Sequence, residues 1–195
     1  FRDRTWWPLR MTVKPMKTAV REGVALRYAD TGQGDPPLVF VHGWCCNRDF
    51  WRDQVAVFSQ RHHVVAVDLR GHGESDKPEQ DYDITGFVDD LAWLCGETGV
   101  ERPVVIGHSM GGVIALNLAR KHPGLARAIV LVDSPLIPIP ETLSAVLDAT
   151  IADLKSPSYA ETAKAFVSQF MFREDSDPAL RDWVSAGVAS APQRV

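Results

Sequence analysis

The sequence predicts an α/β protein: a doubly wound, mostly parallel sheet followed by a helical segment. Three observations carry this. Four short apolar runs, Leu38–Val41, Val64–Val67, Pro103–Ile106 and Ala128–Val132, have the length and β-branched content of strands. Their unbroken hydrophobicity is that of strands covered on both faces. Helical patterns lie between them, the βαβ rhythm that produces a parallel sheet. After Asp133 the rhythm stops, and no strand-like run occurs from Pro135 to Val195.

The first predicted strand is Val24–Ala29, closed by the turn formers of Thr31–Pro37. Leu38–Val41 follows, then helical spacing in Phe50, Gln54, Val57 and Phe58. Val64–Val67 leads into a long loop carrying Gly71, Gly73 and Pro78, and Phe87, Leu91 and Leu94 mark the next helix. Pro103–Ile106, the helical pattern Val113–Ala119 and the strand Ala128–Val132 complete the core, placed at residues 18–135. In residues 136–195, Leu143, Val146, Leu147, Ile151 and Leu154 recur at helical spacing, as do Phe166, Val167 and Phe170. Prolines at 135, 138, 140, 157 and 178 cut this stretch into short pieces, so a helical lid is expected. Residues 1–17 read as a leader of uncertain standing, since a start at Met11 or Met16 would be unremarkable.

Composition bounds the function. A chain of 195 residues with 45% hydrophobic and 24% charged residues can bury one sizeable core. A net charge of −4, with basic residues scattered, argues against nucleic acid or an anionic membrane as partner. No apolar stretch approaches the roughly 20 residues of a membrane helix. Cys45, Cys46 and Cys95 form neither a Cys-x-x-Cys pair nor a zinc-type cluster. A reducing cytoplasmic setting is therefore expected, with no metal and no cofactor.

Three motifs carry chemistry, and each closes a predicted strand, where ligands of such sheets bind. Gly107-His108-Ser109-Met110-Gly111-Gly112 lies between a buried strand and a helix. A serine hydroxyl is a weak nucleophile that must be exposed and given a base, and flanking glycines let strand and helix approach at a sharp turn. A phosphate loop would need a Gly-Lys-Ser/Thr ending, and the first lysine after this turn is Lys121. His42-Gly43-Trp44 ends the strand Leu38–Val41, and Asp68-Leu69-Arg70-Gly71-His72-Gly73-Glu74-Ser75 follows Val64–Val67.

In this order and spacing the three motifs resemble the α/β-hydrolase fold-1 superfamily over about residues 20–135. The resemblance implies that Ser109 is a nucleophile and that the backbone N–H groups of Trp44 and Met110 form an oxyanion hole. It implies a structural role for Asp68 and Arg70. Serine at the elbow points to acyl transfer on esters or lactones. Related epoxide hydrolases and haloalkane dehalogenases use aspartate there, while carbon–carbon bond hydrolases, perhydrolases and acyltransferases share the serine. Members of this type usually draw the acid and then the histidine from later strands, and no histidine follows His122. Asp133, at a strand end some members use, is the candidate acid within the chain, the other reading being a capping or turn residue with Ser134 and Pro135. His42, His62, His63, His72, His108 and His122 are each poor candidates for the base. The chain is accordingly expected to be a fragment, inactive or poorly soluble alone. A small-molecule acyl substrate is the expected partner, the oligomeric state is open, and a non-catalytic binding member of the fold is the rival reading. Phe166, Phe170, Met171 and Trp183 suggest an apolar acyl site, though residues at helical spacing are more often simply core, and Cys45 and Cys46 could line a pocket but more commonly such residues are small buried hydrophobes.

Overall fold

A computed structural model describes residues 16–136, 141–189 and 191–194. Residues 1–15 of the expected leader, Met11 among them, lie outside the described residues. Six strands form one sheet: β1 (Met16–Arg21), β2 (Val24–Thr31), β3 (Leu38–Val41), β4 (Val64–Val67), β5 (Val104–His108) and β6 (Ala128–Val132), in spatial order β1-β2-β4-β3-β5-β6. β4, β3, β5 and β6 are mutually parallel, whereas β1 and β2 form an antiparallel hairpin against β4. Helices α1 (Arg52–Phe58), α2 (Ile84–Glu97) and α3 (Met110–Lys121) connect the parallel strands.

Alternation along each central strand divides the core in two. Val39, Val41, Val65, Val67 and Val105 pack with Phe87, Leu91 and Leu94 of α2 and Ile114 and Leu118 of α3. Leu38, Phe40, Val64 and Ala66 point the other way, onto Trp51 and onto Val55 of α1. All four residues of β3 and of β4 are buried, as a sheet covered on both faces requires.

Two differences from the sequence reading stand out. β1 was not foreseen, and it begins at Met16, ahead of the predicted core start at residue 18. Half of its residues are polar, and its hairpin turns through Glu22 and Gly23, both at positive φ (53° and 81°), without the Asn-Gly or Asp-Gly signal of such turns. β6 reads as a doubly buried strand but is covered on one face alone. Ile129 and Leu131 meet the α2/α3 core, while Val130 is 44% and Val132 38% exposed. β6 is the edge of the described sheet, and no described element lies on its other face.

The C-terminal stretch forms three helices, α4 (Glu141–Leu154), α5 (Tyr159–Phe170) and α6 (Pro178–Ala189). α5 and α6 make a separate apolar cluster, Tyr159, Ala163, Val167, Val184 and Val188, closed against Cys45 of the core. Among the described residues no helix is long and apolar enough to cross a membrane.

Candidate active site

Ser109 lies between β5 and α3, as the N-cap of α3, with φ 51° and ψ −119°, a backbone conformation that residues with a Cβ rarely adopt. The strain is held from several sides. Ser109 N–H donates to Val132 O on β6 at 2.9 Å, and Ser109 O accepts from Gly112 N–H at 2.9 Å. A Cβ at Gly107 would strike the Gly111 backbone, one at Gly111 the carbonyls of Val41 and His42, and one at Gly112 the Ser134 hydroxyl. Serine at this position ordinarily caps its helix, yet the Ser109 side chain makes no capping bond. Its hydroxyl is left at the positive end of the α3 dipole, beside the orphan N–H groups of the first turn, which include Met110.

The loop after β3 lies directly against this turn. A Cβ on Gly43 would come within 3.1 Å of the Ser109 Cβ and 3.0 Å of His108 Nδ1, so glycine is what lets the Gly43–Trp44 backbone approach the serine. His42 is wholly buried and holds the loop. Its Nδ1–H donates to Gly43 O at 2.8 Å and its Nε2 accepts from Leu69 N–H at 3.0 Å. Burial drives its pKa down to about 4. With both nitrogens committed and the ring neutral, His42 cannot serve as a base for Ser109.

The Asp68 loop is structural, as expected. Asp68 is fully buried and accepts from the backbone N–H groups of Arg48 (2.7 Å) and Glu74 (2.9 Å), and it pairs with the Arg48 guanidinium. Ser75 Oγ donates back to Asp68 O at 2.6 Å. Gly73, at φ 51°, sits where any Cβ would enter the Asp68 carboxylate. Arg70 supports the loop through side-chain partners. It forks onto the Asp90 carboxylate at 2.8 and 2.7 Å, and Arg21 reaches the same group at 2.8 Å. Asp90 was not foreseen. Its signal was an acidic residue inside the apolar stripe of Phe87, Leu91 and Leu94, a position that demands a paired charge.

Four of the remaining five histidines are engaged elsewhere. His72 is buried, donates from Nδ1 to Arg70 O at 3.0 Å, and is held down at about 3 by burial. His62 bonds to Pro36 O at 2.9 Å, and His63 Nε2 pairs with Asp30 at 2.7 Å, at the amino-terminal end of the sheet. His122 ends α3, facing Asp89. His108 has its pKa lowered by burial, with the Asp133 charge opposing, and no hydrogen bond joins it to Ser109 among the described residues. Asp133 sits just past β6, exposed, at φ 46°, in a turn where Ser134 O accepts from Leu136 N–H at 2.9 Å.

Cys45 and Cys46 are buried thiols, each raised to about 12 by that burial, which removes them as nucleophiles. Of the apolar lid residues, Phe166 meets Trp44 edge-on at 6.4 Å. Trp183 instead packs tilted against Phe50 at 4.7 Å beneath the Arg52 guanidinium, and Met171 is 39% exposed. The Phe170 side chain lies outside the described residues. A polar depression of about 520 Å³, lined by Gly32, Asp35, Pro37, His63 and Glu101 among others, opens at the amino-terminal ends of β3–β5. That is the end opposite Ser109, and ligands in open α/β sheets bind at the carboxyl ends.

A family model described as alpha/beta hydrolase fold matches residues 36–190. A non-heme chloroperoxidase of Kitasatospora aureofaciens is 34% identical over 162 residues, covering 76% of this chain and 58% of that protein. Epoxide hydrolase 3 of Mus musculus is 33% identical over 130 residues, covering 65% of this chain and 35% of that protein. Among solved structures, an esterase from Exiguobacterium antarcticum superposes with a TM-score of 0.79 at 26% identity, over 92% of this chain and 69% of that one. The chain thus spans little more than half the length, or less, of these two relatives.

Proposed function

The chain belongs to the alpha/beta hydrolase fold family, and on that premise we propose that it carries the nucleophile half of a serine hydrolase acting on carboxylic esters or lactones. The observation that carries the reading is Ser109 itself: strained at φ 51°, uncapped, at the start of α3, with the Gly43–Trp44 backbone against it. Ser109 Oγ attacks the acyl carbon, and the proton leaves to a base. The negative oxygen of the tetrahedral intermediate accepts from the N–H groups of Trp44 and Met110, which are rigid and aimed before charge develops. Collapse expels the alcohol and leaves an acyl-serine, which water then attacks to release the acid.

Among the described residues none of the six histidines is bonded to Ser109, so none of them is assigned as its base in this reading. The apolar, uncovered face of β6 beside Ser109 supports the same reading, that this is a fragment of the working enzyme. Asp133 is the carboxylate that the chain itself supplies as candidate acid. A serine hydroxyl in place of a carboxylate favours acyl transfer over the epoxide opening named in one relative.

The test is turnover of a p-nitrophenyl ester panel by the full-length gene product. A fast nitrophenol burst followed by slower turnover is expected, with loss of at least about a thousandfold in Ser109→Ala. Ester turnover unaffected by Ser109→Ala would remove the serine from the mechanism, and a folded protein without turnover on any acyl substrate would favour the binding-protein reading.

A further inference from the structure

We propose that Tyr159 of the helical segment is a positioning residue for the oxyanion loop, holding Cys45 and through it the Trp44 N–H in place. The inference rests on the serine-hydrolase reading above. Cys46 N–H donates to Gly43 O at 3.2 Å, making residues 43–46 a tight turn with Trp44 and Cys45 at its centre. Cys45 occupies that turn at φ 56°, a position that ordinarily selects glycine. Something must therefore fix its side chain.

The Tyr159 hydroxyl lies 3.3 Å from the Cys45 thiol, and both residues are buried, at 8% and 1% exposure. Burial raises both groups, the thiol to about 12, so each stays protonated and the contact is a neutral hydrogen bond at any working pH. The same face of α5 repeats the support. Ala163 and Val167, one and two turns on from Tyr159, pack in the cluster that includes Cys45, and Phe166 braces the Trp44 ring edge-on. Two consecutive loop residues, 44 and 45, are thus each held by α5. If the thiol is released, Cys45 relaxes toward negative φ, the peptide planes of the turn rotate, and the Trp44 N–H leaves the line to the developing oxyanion. The helical segment then does more than cover the site.

The experiment uses the full-length gene product and a p-nitrophenyl ester. Tyr159→Phe removes the hydroxyl alone and is expected to lower kcat about tenfold, since a small misalignment of a transition-state donor suffices. KM stays within about twofold, because the ground-state ester leans little on that donor. Cys45→Ala has the same effect, and the double variant is no worse than either single one, as two halves of one contact must behave. Thermal melting of each variant accompanies the kinetics, and if Tyr159→Phe does not fold, Cys45→Ala carries the prediction. Unchanged kcat in the single variants, or losses that multiply in the double variant, overturn the positioning role. The two levels of inference separate cleanly: an unaltered protein that neither turns over nor reacts with a fluorophosphonate refutes the serine-hydrolase reading and this one with it. A reactive protein indifferent to Tyr159→Phe refutes the positioning role alone.

Discussion

Acidification from pH 7.5 to pH 5 should destabilise this fold through two buried imidazoles. His42 and His72 have ring centroids 5.0 Å apart, each neutral, each with its Nδ1–H given to a carbonyl. Protonating His42 would break the bond its Nε2 accepts from Leu69, and His72 Nε2 is a buried atom with no partner among the described residues. The folded values of about 4 and about 3 lie below the ordinary 6.5, so the unfolded chain takes up protons first. The stability is then complete above pH 6.5 and is lost as the pH falls toward those folded values. At pH 5 the unfolded rings are almost fully charged while the folded ones remain neutral, a difference of about 2 kcal/mol each and about 4 kcal/mol together. His108, also lowered by burial, adds in the same direction. Set against a usual domain stability of roughly 5–15 kcal/mol, this is a large fraction. Urea titration followed by tryptophan fluorescence at the two pH values measures it. His72→Asn keeps a donor toward Arg70 O but cannot titrate, so it should remove about half the pH difference whatever it does to absolute stability. A wild-type difference below about 1 kcal/mol, or an undiminished one in His72→Asn, would refute the reasoning.

Ser109→Gly should stabilise the fold by about 1 kcal/mol, read from urea midpoints, because glycine occupies φ 51° without strain, while abolishing ester turnover. Gly73→Ala should cost more than about 3 kcal/mol or prevent folding, since its Cβ has no room beside the Asp68 carboxylate; an Ala variant with a native melting temperature would show that the loop yields. Replacing the exposed pair Val130 and Val132 by threonine should reduce self-association of the 195-residue chain in light scattering with little change in melting temperature. Unchanged association would place the sticky surface elsewhere.

What could be read from the sequence was local. β3, β4 and β5 each announce themselves by a run of apolar residues, and the glycine spacings around Ser109, Gly43 and Gly73 report close backbone approaches that the structure contains. What could not be read was long-range or half-covered. β1 carries Lys17, Thr18 and Arg21 and owes its pairing to β2, so its own pattern says little. β6 has the composition of a doubly buried strand, and nothing in Ala128–Val132 states that one face is open. The bonds that hold the loops join residues far apart: Arg48 with Asp68, Arg70 with Asp90, Cys45 with Tyr159 across 114 positions. Only tertiary packing, of the sheet for the first two pairs and of α5 against the loop after β3 for the third, brings these partners together.

The central claim is that Ser109 is the nucleophile, and labelling tests it most directly. The full-length gene product is treated with a fluorophosphonate, digested, and its adduct located by mass spectrometry. The account predicts a single phosphonylated residue, Ser109, absent in Ser109→Ala and blocked by prior incubation with a slowly turned-over ester. A folded protein that takes no label, or takes it on a residue other than Ser109, would contradict the account.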